Sequence, residues 1–344
     1  MVCGWHQSPA HLFYGTVMEI NLEQSKSEQR RILTRAIRED RKTVFSRFGE
    51  RPSYSKSEII IRNFFRLNAY LTMGVTLGII AVLLVDGVEF FRRVSAWEFF
   101  TGTVWSPFGQ PKHLGVLPLI SGTMMIALGS SLVAIPLGMG TAIFLTLYAP
   151  RSFREIVTPI IEILGGIPTV VYGYFALDVV TPALQKIWPE MGLFNALSAS
   201  IVVGISTLPM VSSLSAEAIR VVPSSIRNAG YALGMTKFHV VTRIVVPAAL
   251  SGIVASFILA FSRAVGETMA VTLAAGSSPN MNWNYLESIQ TMTAFIVQIS
   301  LGDTPAGSIE YYTIYAIGLT LFVMTFAFNI LALQIVRRFR EVYK

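Results

Sequence analysis

Charge is scarce in this chain of 344 residues. Asp, Glu, Lys and Arg make up 14% of it, against about 25% in an ordinary soluble domain. Hydrophobic residues reach 53% and the mean hydropathy is +0.57. That balance points to a chain embedded in a bilayer. Cysteine is almost missing: Cys3 stands alone, which excludes an internal disulfide and a thiolate metal cluster. The four histidines, His6, His11, His113 and His239, do not form a ligand cluster, and no metal is expected. No G-x-x-x-x-G-K-[ST] loop occurs, and none of the seven lysines follows a glycine. The phosphates of a nucleotide therefore have no backbone cradle here, and ATP hydrolysis must come from a separate subunit. No Ser-His-Asp or paired-carboxylate arrangement supports a membrane enzyme. A secretory leader is not expected either, because residues 1–66 are largely polar. The first seventeen residues differ in character from residues 18–66, and Met18 is an alternative start.

What the chain does have is long apolar runs. A helix needs about 20 mostly apolar residues to cross roughly 30 Å of hydrocarbon. Six segments qualify. Residues 67–85, 191–216 and 311–336 carry no charge. Residues 114–148 are uncharged and expected to break at Pro118 and Pro136. Residues 156–177 hold only Glu162, and 244–276 hold Arg263 and Glu267. The segment 288–302 is too short to span and suits an interfacial or re-entrant helix. With the N-terminus inside, cytoplasmic segments carry 22 of the 27 Lys and Arg, and outer segments carry only Arg92, Arg93, Lys112 and Lys186. This asymmetry predicts an all-α polytopic membrane protein of six transmembrane helices with both termini cytoplasmic. The net charge of +7 is then topology, and no nucleic-acid partner is expected.

Around these spans, residues 1–66 read as a cytoplasmic N-terminal extension and 67–340 as the transmembrane domain. Ile32, Leu33, Ile37, Val44 and Phe45 fall at roughly helical spacing and predict an amphipathic helix within 19–66. The outer loop 86–113 is aromatic, and Phe90, Phe91, Trp97, Phe99, Phe100 and Trp105 are expected at the headgroup level. Residues 149–155 read as a basic inner turn. Residues 178–190 and 277–310 read as outer loops.

The inner loop 217–247 is the most patterned. Pro223 suits a first helical turn, and a helix is expected from there to Leu233. Gly234 permits the left-handed turn that ends a helix. Thr236 can cap the next helix, which carries Phe238, Val241 and Ile244 on one side. Pro247 marks the start of the next span. The result is an L-shaped protrusion with Ala229, Ala232, Leu233 and Met235 near its tip and His239 in solvent. Spacing alone leaves two readings, a docking handle for a cytosolic motor or an ordinary amphipathic loop.

The run NAGYALGMTKFHVVTRIVVP (228–247) resembles the EAA motif of permease subunits in binding-protein-dependent ABC transporters. That motif reads Glu-Ala-Ala, three residues, Gly, nine residues, Ile-x-Leu-Pro. Gly234, Ile244 and Pro247 fall at its positions. Asn228 replaces Glu, Gly230 replaces Ala and Val246 replaces Leu. PLGMGTAIFLTLYAP (136–150) resembles the second core span of these permeases. EILGGIPTVVYGYF (162–175) and SRAVGETMAVTLAAG (262–276) are similar to the phosphate-specific system, the latter to its C-type permease. The resemblance covers roughly residues 64–340. It implies the MetI-like permease fold, alternating access, and a multi-pass place in the bacterial inner membrane. It implies ATPase coupling through Asn228, Ala229, Gly230, Leu233, Gly234, Ile244 and Pro247. The implied partners are a homologous A-type phosphate permease, two ATPase subunits that bind the ATP and Mg, an external phosphate-binding protein, and membrane lipid. No cofactor is expected in this chain itself. The rival readings are a permease for another oxyanion, such as molybdate or sulfate, and a channel or scaffold working without a motor.

Physical chemistry singles out residues for the substrate path. A charge at the bilayer centre costs about 2.5–3.5 kcal/mol on insertion scales, so intramembrane Arg263 and Glu267 are functional candidates. Four apart, they are expected on one helical face, able to neutralise each other as a structural or a path-lining pair. Arg263 offers a planar fork to phosphate oxygens. Glu267, with Thr268 beside it, can accept a hydrogen bond from protonated phosphate, which sulfate cannot donate. Glu162 precedes Gly165-Gly166-Ile167-Pro168, and these residues with Thr169 allow a helix break lining a pore, whose half-helix ends can meet an anion. Close helix packing through small residues is the alternative. Ser121, Thr123, Ser130, Ser131, Ser206 and Thr207 are either weak anion donors or bonded within their helices.

Overall fold

A computed structural model describes residues 56–338, with side chains from 58 to 336. Most of the expected 19–66 helix, together with Cys3 and Met18, lies outside the described residues. The chain divides into two units, Met1–Thr76 and Leu77–Lys344. The described part of the first is wholly helical, the opening turns of α1 (Lys56–Arg93). Its Thr72 and Thr76 hydroxyls donate to the carbonyls of Asn68 and Thr72 at 2.9 Å, which hides them within the helix. Phe65, Tyr70 and Leu71 are exposed around this stretch, as on a helix that faces lipid.

In the second unit, α1 ends at Arg93 and is followed by the short α2 (Ala96–Thr101) and a two-stranded antiparallel hairpin, β1 (Trp105–Ser106) with β2 (His113–Leu114). Then come α3 (Leu117–Tyr148), α4 (Arg151–Gly166), α5 (Thr169–Gln185) and α6 (Ala196–Val221). The inner loop holds α7 (Ser224–Ala232) and α8 (Lys237–Ala248). The remainder is α9 (Leu250–Val265), α10 (Met269–Ala274), α11 (Met292–Leu301) and α12 (Ile309–Arg338). Among the described residues, α1, α3, α6 and α12 are each long and apolar enough to cross a membrane. Two bent pairs, α4 with α5 at 91° and α8 with α9 at 70°, raise the number to six if each pair counts as one span.

The packing centres on α6, which lies against α3, α4 and α9. Gly138 of α3 sets the spacing: a Cβ there would sit 2.7 Å from Val211 Cβ. Small residues let membrane helices approach closely where water supplies no driving force. Met125, Ile126, Val202, Val203, Val265 and Val271 form the main core. A second cluster, around Ile219, Val240, Val245 and Ile253, joins α6 to the inner loop.

Several expectations need correction. Pro118 begins α3, as expected of a proline in a first turn, but the helix continues unbroken through Pro136. One missing N–H is tolerated in a membrane helix whose neighbours cover the freed carbonyl. The basic turn at 149–155 is shorter, because α4 already starts at Arg151. Residues 178–185 belong to α5 rather than to a loop, and 244–276 form three helical pieces rather than one continuous helix. The aromatic loop is divided. Trp97 is 79% exposed, yet Phe90 and Phe99 are fully buried and Trp105 is 4% exposed. Trp105 meets Phe295 of α11 edge-on at 4.9 Å, because α2 and the hairpin fold the loop back over α11. Helix α11 has 10 residues, about 15 Å at 1.5 Å per residue, half of a hydrocarbon core.

Candidate functional site

The first break follows from its sequence. Gly166 ends α4, Ile167 and Pro168 are extended at ψ 130° and 135°, and Thr169 restarts the helix. A residue before proline is driven out of the α region, and Pro168 has no N–H to continue the ladder. The break leaves carbonyls of α4 without helical donors. Tyr172 answers one of them, its hydroxyl donating to Leu164 O at 2.7 Å. Glu162, Gly165 and Gly166 are exposed and Thr169 is half-buried. Glu162 lines a cavity of about 100 Å³ with Thr158, Ser212, Glu217 and Arg220. Gly165 lies against Pro209 of α6, where an added Cβ would meet Pro209 Cβ at 3.5 Å, an ordinary packing contact.

The second break revises the charge pair. Helix α9 stops at Val265, where Gly266 N–H bonds Arg263 O at 3.1 Å and Glu267 N–H bonds Ala264 O at 3.2 Å. Glu267 is therefore off the helix, and the four-residue spacing no longer places it on one face with Arg263. No ion pair joins Arg263 to a carboxylate among the described residues, and Arg263 is exposed. Glu267 is 8% exposed. Its Oε1 accepts the Thr268 N–H at 3.2 Å, and its carbonyl accepts the Thr293 hydroxyl at 2.7 Å. The Thr268 hydroxyl turns back to Gly266 O.

Both breaks border one core, in which Ile167 and Val265 pack around Tyr172 and Ala270. Beyond the breaks, α5 and α10 pack together; a Cβ on Gly173 would sit 2.8 Å from Leu273 Cβ. The six hydroxyls singled out by sequence each donate to a carbonyl of their own helix. Thr123 also accepts the N–H of Met292.

The inner loop forms as its residues dictate. Helix α7 runs between Pro223 and Leu233. Gly234 has φ +78°. Its N–H donates to Tyr231 O at 2.9 Å and that of Met235 to Gly230 O at 3.2 Å, the paired bonds of a Schellman end. Thr236 Oγ1 accepts the His239 N–H and opens α8. Gly230 is buried: a Cβ there would lie 2.6 Å from Ile244 Cδ1 and 3.1 Å from Val240 Cγ2. The two halves of the motif thus lock through the residue that departs from it. Asn228, Ala229 and Ala232 are exposed, Leu233 is 82% exposed, and Pro247 lies in α8 just before the 70° bend. Phe238 does not share the buried side with Val241; it is 65% exposed, while Val240 and Val241 are buried. Sequence reading missed Tyr172 and also Arg154, whose guanidinium donates to Leu145 O at 2.6 Å and Thr146 O at 3.2 Å. A basic side chain just past a helix end was the available signal for Arg154.

A family model described as the binding-protein-dependent transport system inner membrane component matches residues 134–341. The probable ABC transporter permease protein YqgH of Bacillus subtilis (strain 168) is 34% identical over 265 residues, 76% of this chain and 85% of that protein. The phosphate transport system permease protein PstC of Xylella fastidiosa (strain 9a5c) is 32% identical over 295 residues, 78% of this chain and 88% of that protein. Among solved structures, a bacterial alginate ABC transporter in complex with an alginate pentasaccharide-bound periplasmic protein superposes with a TM-score of 0.56 at 16% identity, covering 83% of this chain and 98% of that one. That likeness covers more of the chain than the segment matched by the family model. The chain belongs to the binding-protein-dependent transport system inner membrane components, as a multi-pass ABC importer permease subunit rather than an enzyme.

Proposed function

We propose that this chain is the C-type permease subunit of an ATP-driven phosphate importer in the bacterial inner (plasma) membrane, with both termini in the cytoplasm. One observation carries the substrate. Relatives in Mesorhizobium japonicum, Xylella fastidiosa and Haemophilus influenzae, 29–32% identical over 72–80% of this chain, are named phosphate transport system permease PstC. In this reading residues 1–66 are a cytoplasmic extension and 67–340 the permease domain. The partners are an A-type phosphate permease, two ATPase subunits holding ATP and Mg, and an external phosphate-binding protein.

The 217–247 loop is the handle. ATP closes the ATPase dimer, Ala229, Ala232 and Leu233 at the exposed tip follow it, and the spans open outward to receive phosphate. The lock of Gly230 under Ile244 and the Schellman end at Gly234 support a stiff handle able to transmit that motion. Arg263, Glu267 and Thr268 at one break, and Glu162, Gly165, Gly166 and Thr169 at the other, line the path. Import of a dianion against about 100 mV opposes roughly 2.3 kcal/mol per charge, which is why a motor is needed.

The test is uptake of labelled phosphate in vesicles holding this chain with its ATPase, companion permease and binding protein, with sulfate and molybdate as competitors. ATP-dependent uptake blocked only by excess phosphate is expected. Uptake of sulfate or molybdate instead keeps the architecture and overturns the substrate. Flux without ATP overturns the coupling.

A further inference from the structure

Beneath the handle lies a second polar site that the transport path does not use. A cavity of about 250 Å³ opens between the inner end of α3 and the loop helices α7 and α8. Thr146, Arg227, Asn228, Tyr231 and Lys237 supply its polar lining, and Val241 is part of its apolar wall.

Two cations converge here without a counter-charge. Every ion pair among the described residues lies elsewhere, on Glu89, Glu155 and Glu310. Lys237 Nζ sits 4.5 Å above the Tyr148 ring, a contact that leaves its charge uncompensated. Thr146 Oγ1 is buried with no hydrogen-bond partner among the described residues, an unusual state for a buried hydroxyl. A guanidinium, an ammonium, an amide and two hydroxyls around one small cavity suit a tetrahedral oxyanion bearing several acceptor oxygens. A carboxylate has only two such oxygens and uses fewer of these donors.

We propose that this cavity is a phosphate-group site in which Arg227 and Lys237 hold the anion while Thr146, Asn228 and Tyr231 bond its oxygens. The inference rests on the reading of the 217–247 loop as cytosolic. On that side the group comes either from cytosolic inorganic phosphate or from the headgroup of an anionic lipid. Thr146 belongs to the end of α3 and the other four donors to the loop, so a bound anion ties handle to span. Occupancy then regulates coupling. If the ligand is inorganic phosphate, the imported product acts on the step that imports it.

The experiment measures binding without transport, so its failure and failure of the importer reading are separate results. The full-length chain is purified in phospholipid-free detergent, and binding of labelled inorganic phosphate is measured by equilibrium dialysis. In parallel, nanodiscs of phosphatidylcholine alone or with phosphatidylglycerol report retained anionic lipid by native mass spectrometry. Arg227→Gln with Lys237→Gln is expected to weaken binding of one probe at least tenfold, and Arg227→Lys is expected to restore part of it. Thr146→Val, with no change of charge, guards against a folding defect and is expected to weaken the same probe. Loss confined to phosphate identifies the free anion, and loss confined to phosphatidylglycerol identifies the lipid. Binding of neither probe by the wild-type chain, or equal binding by wild type and both charge-removing and Thr146→Val variants, overturns the proposal.

Discussion

Gly230 lies directly under Ile244, so close that a methyl group on the glycine would stand 2.6 Å from Ile244 Cδ1. The clashing atom is the far end of a side chain, which can turn away. Gly230→Ala is therefore expected to fold, with a loss below about 1 kcal/mol, whereas Gly230→Leu overpacks the joint and costs about 1–3 kcal/mol. Ile244→Val removes the clashing methyl, so the double variant with Gly230→Ala should be more stable than Gly230→Ala alone. Thermal unfolding in detergent reads all three, and a Gly230→Leu variant as stable as wild type would refute the lock.

Gly234 has φ +78°, while proline fixes φ near −65° and removes the N–H that bonds Tyr231 O. Gly234→Pro is expected to insert normally and lose ATP-driven uptake. Gly234→Asn tolerates the left-handed turn and should keep most of it. Full uptake by the inserted proline variant would sink the handle reading.

Tyr172 caps Leu164 O at the first break. Tyr172→Phe leaves that carbonyl without its donor and is expected to destabilise the chain by about 1–3 kcal/mol. An unchanged melting temperature would mean the break needs no brace.

Glu267 and Arg263 do not touch, so they can be altered separately. Arg263→Gln should leave thermal stability within about 0.5 kcal/mol, as for exposed residues without a partner, yet reduce phosphate uptake. Glu267→Gln should weaken rejection of sulfate at least tenfold, since the repelling carboxylate is gone. Competition assays decide. A Glu267→Gln transporter that takes phosphate and excludes sulfate as before removes Glu267 from the selectivity argument.

What was legible in the sequence was what local chemistry determines. Gly234 and Thr236 are read correctly because a left-handed turn and an N-cap depend on residues within one turn. The Gly165–Pro168 break is legible because proline acts on the residue before it. The Arg263–Glu267 face was misread because helical spacing assumes a continuous helix, and Gly266 ends this one. Pro136 misled in the opposite sense, since membrane packing carries the helix past a lost hydrogen bond. Phe90, Phe99 and Trp105 were assigned to the headgroups because composition cannot tell an aromatic at an interface from one under a hairpin. The cavity around Arg227 and Lys237 was invisible, because Thr146 reaches it from a distant part of the chain.

Gly173 seats on Leu273, so α5 and α10 meet beyond the two breaks with no room for a methyl group between them. Each of these helices starts at a break, one after Gly166–Pro168 and one after Gly266–Thr268. A side chain at position 173 would therefore press on Leu273 and force a shift between α5 and α10 immediately beyond both breaks.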